Sequence, residues 1–110
     1  MAGAYTLETS TNGKVHFNLK AGNGQVILTS EMYESRAAAQ AGIASVQGNC
    51  GDDARYERAV ASNGKFYFKL KAGNHQVIGA SQMYASEAAR DTGIESVKVN
   101  GGTATVNDNS

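Results

Sequence analysis

The stretch NGKVHFNLKAGNGQVI, from Asn12 to Ile27, returns as NGKFYFKLKAGNHQVI from Asn63 to Ile78. The match runs without a gap from Asn12–Asn49 to Asn63–Asn100, at an offset of about 51 residues. Roughly 60% of the aligned positions are identical, far above chance for an internal repeat. Upstream it thins to a pairing of Tyr5 with Tyr56. A chain of 110 residues has room for one compact domain and not for two independent ones. The copies must therefore share a core, as two subunits do across a two-fold axis. The expected organisation is one domain over 1–110, with repeats over 5–51 and 56–107.

Inside each copy the first clear period is two. Val15, Phe17 and Leu19 alternate with Lys14, His16, Asn18 and Lys20; Phe66, Phe68 and Leu70 alternate with Lys65, Tyr67, Lys69 and Lys71. One apolar and one polar parity predict a half-buried antiparallel strand. QVILTS and QVIGAS predict the next strand, and AYTLET and RYERAV an earlier one. NGK and AGNGQ or AGNHQ are turns, with Gly22 and Gly73 as their shared glycines. His75 replaces Gly24, so that position does not read as one that demands glycine.

The period then lengthens. Ser35 and Ser86 are placed as N-caps of helices ending in QGN and KVN. One helix face holds Ala38, Gly42, Ile43 and Val46, the other Ala89, Gly93, Ile94 and Val97. A mid-helix glycine costs about 1 kcal/mol against alanine. Its recurrence at Gly42 and Gly93 predicts a close approach of helix backbone and sheet. An extended piece follows each helix, ARYE and TATVN. The expected class is α+β: two tandem β(3)-α-β repeats forming one mainly antiparallel sheet, with two helices packed against it and pseudo-two-fold symmetry.

The duplicated pattern NGK-x-x-F-x-LKA-x-N-x-Q-x-I-x-x-S-x-x-Y, followed by GI-x-SV, resembles the YegP-like family of small bacterial proteins of unknown function, in tandem-duplicated form. The resemblance spans about Tyr5 to Asn107. It implies paired units in a single sheet, with C-terminal strands exchanged and helices packed on it. It brings no established activity, cofactor or catalytic residue, so no functional residue is carried over.

The chemistry-bearing residues point to little. Ten basic and ten acidic side chains cancel, so net charge favours neither nucleic acid nor an acidic partner. No apolar run nears the ~18 residues of a membrane span. The start, MAGAYTLETS, lacks the basic and apolar regions of a secretory signal. A single cysteine, Cys50, cannot form an internal disulfide. These features predict a cytoplasmic protein without a membrane partner, and the duplication, a pseudo-dimer within one chain, predicts a monomer. Cys50, in the loop GNCGDD, has no basic neighbour to activate it. His16 and His75 are not equivalent positions, lack ligand spacing and read as solvated; no metal or cofactor is expected. Asp52 and Asp53 read as solvated loop residues, and AGNGQ as a hairpin turn because a strand follows it. Tyr33, Tyr84, Met32 and Met83 could line a ligand pocket at the sheet–helix junction, although packing at the core or its rim is the plainer reading.

Charge placement stands out most. From Thr11 to Ser30 there are two lysines and no acid; from Ser62 to Ser81 there are three lysines and no acid. Lys14, His16, Lys20, Lys65, Tyr67, Lys69 and Lys71 share one parity and form a candidate anion-binding face. The plainest account is a solvated face whose lysines discourage edge-to-edge aggregation. The functional expectation is a non-enzymatic binding or interaction module for an anionic ligand. One alternative is a nucleic-acid-binding protein, with lysines on phosphates and Tyr67 or His16 stacked on a base. Another is a small enzyme whose site the sequence does not display.

Overall fold

The computed structural model describes residues 3–103 and 105–108. Strands β1 (Ala4–Thr9), β2 (Val15–Lys20) and β3 (Val26–Ser30) lead into helix α1 (Arg36–Asn49). A short 3-10 turn at Asp53–Arg55 follows, and then the order returns: β4 (Tyr56–Val60), β5 (Phe66–Lys71), β6 (Val77–Ala80), α2 (Glu87–Asn100) and a last strand, β7 (Val106–Asp108). All the strands among the described residues join one sheet in the order β4-β5-β6-β3-β2-β1-β7. Every pairing is antiparallel except that of β7 with β1.

The third strands of the two copies meet at the centre, with Thr29 opposite Ala80. These are equivalent positions of the repeat, so the pseudo-two-fold axis passes between them. Each copy was expected to have its own trailing strand. ARYE and RYERAV overlap, however, and a single strand, β4, is built from both. The second copy keeps a trailing strand: β7 crosses to the first copy and sets Val106 beside Tyr5.

The alternation read from sequence decides which face is covered. Val15, Phe17 and Leu19 of β2 are buried, as are Phe68 and Leu70 of β5. They share one apolar cluster with Ile43 and Val46 of α1 and Ile94 and Val97 of α2. Both helices therefore lie on the same side of the sheet, and among the described residues no helix covers the other, bare side. Fully burying a side chain of this kind contributes about 1.5–3 kcal/mol. Ser35 and Ser86 cap the helices as expected, each accepting a backbone N–H three residues on at 3.1 Å. The buried helix stripe differs by one residue from the expected one. Ala39 and Arg90 are buried, whereas Ala38 and Ala89 are half-buried. An arginine could not be recognised as a core position by apolar pattern. It is accommodated by lying over the Phe66 ring at 5.7 Å while its Nε pairs with Asp91 at 3.3 Å.

Three other expectations are corrected. The space at Gly42 and Gly93 is filled by an aromatic ring and not by strand backbone: a Cβ there would lie 2.8 Å from Tyr33 Cζ and 2.7 Å from Tyr84 Cζ. The turn glycines in the left-handed region are Gly13, Gly24 and Gly64, not Gly22 and Gly73, and His75 adopts φ 69° where Gly24 has 85°. That position does favour glycine. His75→Gly is expected to raise stability by about 1 kcal/mol, seen as a higher urea midpoint at unchanged slope; a lower midpoint would show the turn to be unstrained. Lastly, Cys50 is buried as the C-cap of α1 rather than standing in a loop, and burial pushes its thiol up.

Cys50 meets its own counterpart across the axis. A Cβ on Gly101, the C-cap of α2, would sit 2.8 Å from both Cβ and Sγ of Cys50. The first-strand tyrosines tie these helix ends across copies. Tyr56 donates to the Cys50 carbonyl at 2.6 Å, and Tyr5 donates to the Gly101 carbonyl. The linker aspartates are engaged instead of merely solvated. Asp52 accepts from the Ala54 N–H, and Asp53 pairs with Lys98 at 2.9 Å and Arg58 at 3.6 Å. Among the described residues, no helix is long and apolar enough to cross a membrane.

Candidate functional site

The bare side of the sheet carries the polar parity. His16, Asn18 and Lys20 on β2, and Tyr67, Lys69 and Lys71 on β5, point away from the helices, because their alternates are in the core. Lys14 and Lys65 stand at the strand entrances, where their backbone N–H groups are held by the Asn12 and Asn63 side chains at 3.0 Å. The strands on either side bring acids that a reading of the hairpins alone could not weigh. Glu8 of β1 lies opposite His16, with 3.7 Å between carboxylate and Nε2. Glu57 of β4 lies opposite Lys69 and pairs with Lys71, whose hydrogen bond and charge hold its carboxyl below the usual range. Lys14 pairs with Glu34 at 3.0 Å. Lys69 Nζ lies 6.0 Å from the Tyr67 ring centre. Among the described residues, Lys20 and Lys65 make no ion pair.

The lysines of β2 and those of β5 share this side with β3 and β6 between them, and Glu8 and Glu57 sit on the strands outside them. The histidines divide. His75 is exposed in its turn, but the His16 side chain is only 17% exposed, and its Nδ1 is buried without a partner. His16 is thus less solvated than expected. Among the described residues, no group of three His, Cys, Asp or Glu side chains is placed to hold a metal ion.

The covered side carries two clefts. Tyr33 follows β3 and exchanges both backbone hydrogen bonds with Val15, at 2.8 and 2.7 Å. Its ring stacks on Phe17 at 6.2 Å and lies over Gly42. It then borders a cleft of about 440 Å³ closed on the far side by Gln76, Val77 and Ile78 of the second copy. Tyr84 repeats this, bonded to Phe66, stacked on Phe68 at 6.4 Å, and bordering a cleft of about 460 Å³ with Gln25, Val26 and Ile27 of the first copy. Each cleft therefore joins a tyrosine from one copy to a hairpin from the other. Burial pushes both phenols up, and the charge of Glu31 adds to this at Tyr33, so both stay protonated at neutral pH. Among the described residues neither hydroxyl has a hydrogen-bond partner.

The sequence posed pocket and packing as alternatives for these tyrosines; the ring serves the second and the hydroxyl the first. Met83 lines its cleft, while Met32 and Met83 are each about half exposed. The glutamine, valine and isoleucine were missed as lining residues. Their signal was present as QVI in both copies, but a strand reading assigned it wholly to the sheet.

The chain resembles known proteins over its full described length. A family model for a domain of unknown function, DUF1508, matches residues 10–57 and again 61–108, so its first match ends inside β4. A UPF0339 protein of Acinetobacter baylyi is 64% identical over 98% of this chain and 97% of its own length. The solution structure of YegP from E. coli, a protein of unknown function, matches with a TM-score of 0.94 and 58% identity, over 99% of this chain and 94% of that one. A UPF0339 protein from Shewanella oneidensis, also solved in solution, matches at 0.92 and 57%, over 98% and 92%. With two matches in tandem, relatives matched end to end and the same fold, the chain belongs to the DUF1508 family of YegP-like bacterial proteins, whose function is unknown.

Proposed function

We propose that the protein is a non-enzymatic binding module that takes an anionic ligand on the bare side of its sheet. The observation that carries this reading is that Lys20, Lys69 and Lys71 share a side of the sheet that, among the described residues, no helix covers. Glu8 and Glu57 sit on the strands outside β2 and β5, which supports a locally basic surface between them on a chain of zero net charge. The reading takes the protein to act as a monomer in the cytoplasm, in keeping with one buried, unpaired thiol.

The expected binding is weak and steeply salt-dependent, because released counterions drive it. In titrations with single-stranded DNA and with polyphosphate, Lys20→Glu with Lys71→Glu should weaken both. The double change should also flatten the DNA salt slope by about 1.4, at about 0.7 per lost contact, with little loss of stability. Tyr67 beside Lys69 favours a second reading, single-stranded nucleic acid. Tyr67→Ala should then cost about 1–3 kcal/mol for DNA and leave polyphosphate unaffected. Binding of neither polymer at low salt would leave the lysines as a solvated, aggregation-resistant surface.

A further inference from the structure

The two clefts on the helix side differ in wall and in charge: α1 lines the Tyr33 cleft with Ala38, Ala41, Gly42 and Ser45, whereas among the described residues none of α2 lines the Tyr84 cleft. The repeat places Gln25, Val26, Ile27 and Tyr84 in one, and Gln76, Val77, Ile78 and Tyr33 in the other. At the equivalent position beyond the third strand, the Tyr84 cleft has Gln82 and the Tyr33 cleft has Glu31. The Glu31 backbone N–H is bonded to the Ile78 carbonyl at 3.0 Å, which fixes that residue at the cleft mouth. Among the described residues its carboxylate pairs with no cation. A small-residue wall from α1, with Ala41 and Gly42, faces Val77 and Ile78 across the space.

We propose that the Tyr33 cleft binds a small molecule with a protonated amine on a short apolar body, and that the Tyr84 cleft does not. The volume, about 440 Å³, falls within the range of small-molecule sites. Three features set the ligand class. Ile78, with Ala41 and Gly42, offers an apolar floor. Glu31 offers an anion. The Tyr33 hydroxyl, without a partner among the described residues, offers an oxygen that accepts a hydrogen bond from an ammonium group. Burial and the neighbouring carboxylate keep that phenol neutral, so the site holds one negative charge at neutral pH. The Tyr84 cleft has the equivalent hairpin residues and phenol, but it has Met83 and the neutral amide of Gln82 where the Tyr33 cleft has a helix wall and a carboxylate, and so has no means of preferring a cation. This site is separate from the lysines of β2 and β5, which lie on the other side of the sheet and suit ligands of opposite sign.

An NMR titration of the whole chain at low salt tests this with three probes of equal length: butylammonium, 1-butanol and butyrate. Butylammonium should shift the Gly42 and Val77 amides saturably and leave their counterparts, Gly93 and Val26, nearly unmoved. Butanol and butyrate should bind markedly more weakly at the same amides. Glu31→Gln should weaken butylammonium about tenfold, the scale of one charge-assisted hydrogen bond. Gln82→Glu should add a second site reported by Gly93 and Val26. Ala41→Leu, at an exposed position, should weaken the first site by narrowing it. Equal shifts in both clefts, equal responses to the three probes, indifference to Glu31→Gln, or no saturation with butylammonium would each overturn the proposal. The unperturbed amide spectrum of each variant shows that it is folded.

Discussion

Phe68→Ala is expected to destabilise the whole chain by about 3–5 kcal/mol. Phe68 is fully buried. Its ring meets Tyr56 edge-on at 5.7 Å and stacks on Tyr84 at 6.4 Å. It thereby joins β4, β5 and the segment leading into α2. Truncation removes both aromatic contacts together with the buried area, and the sheet backbone around it cannot collapse to fill the space. The loss should not stay in the second copy. β3 and β6 pair across the axis, and each first-strand tyrosine holds the other copy's helix end. Urea unfolding followed by tyrosine fluorescence and by amide signals from both copies should therefore give one coincident transition at a lower midpoint. A first copy that outlives the second would contradict the shared core.

Gly93→Ala should also destabilise, by about 1–3 kcal/mol. Helix propensity alone argues the opposite sign, a gain of about 1 kcal/mol, so the sign decides. The new methyl group would overlap the Tyr84 ring, which is held on its other face by Phe68. Tyr84→Ala makes room for it. The double variant should then cost less than the two single changes added, with a coupling of at least about 0.5 kcal/mol. A stabilising Gly93→Ala, measured by the urea midpoint, would mean that the helix retreats freely and that the ring does not set its distance from the sheet.

Much of this fold was legible because strands and helices write their faces into the order of residues. Phe17, Leu19 and their counterparts named the covered side of the sheet, and two serines named the helix starts. What was not legible depends on neighbours distant in the chain. The partner of Gly42 is a ring that follows β3, so the sequence signalled a close approach without naming what approaches. The charge of the lysine-bearing side depends on Glu8 and Glu57, which sit outside the hairpins that suggested it. Arg90 is core only because Phe66 and Asp91 lie beside it. The clefts were the least legible feature, since each is assembled from both copies. β4 escaped for a different reason: one short segment matches the end of one unit and the start of the next, and only one strand can be built from it.

Two identical subunits meeting on a two-fold axis come apart on dilution, and their stability depends on protomer concentration. Here the halves are held by the few residues between Cys50 and Tyr56. Their association is intramolecular, at an effective concentration that for short connections is in the millimolar range. The folded state should therefore have the same urea midpoint at any protein concentration. The short connection also removes a constraint at the axis itself. A symmetric pair must place two copies of one residue face to face, whereas this chain sets Cys50 against Gly101 and Thr29 against Ala80. A substitution at such a position enters once and not twice, so its partner can remain small enough to receive it.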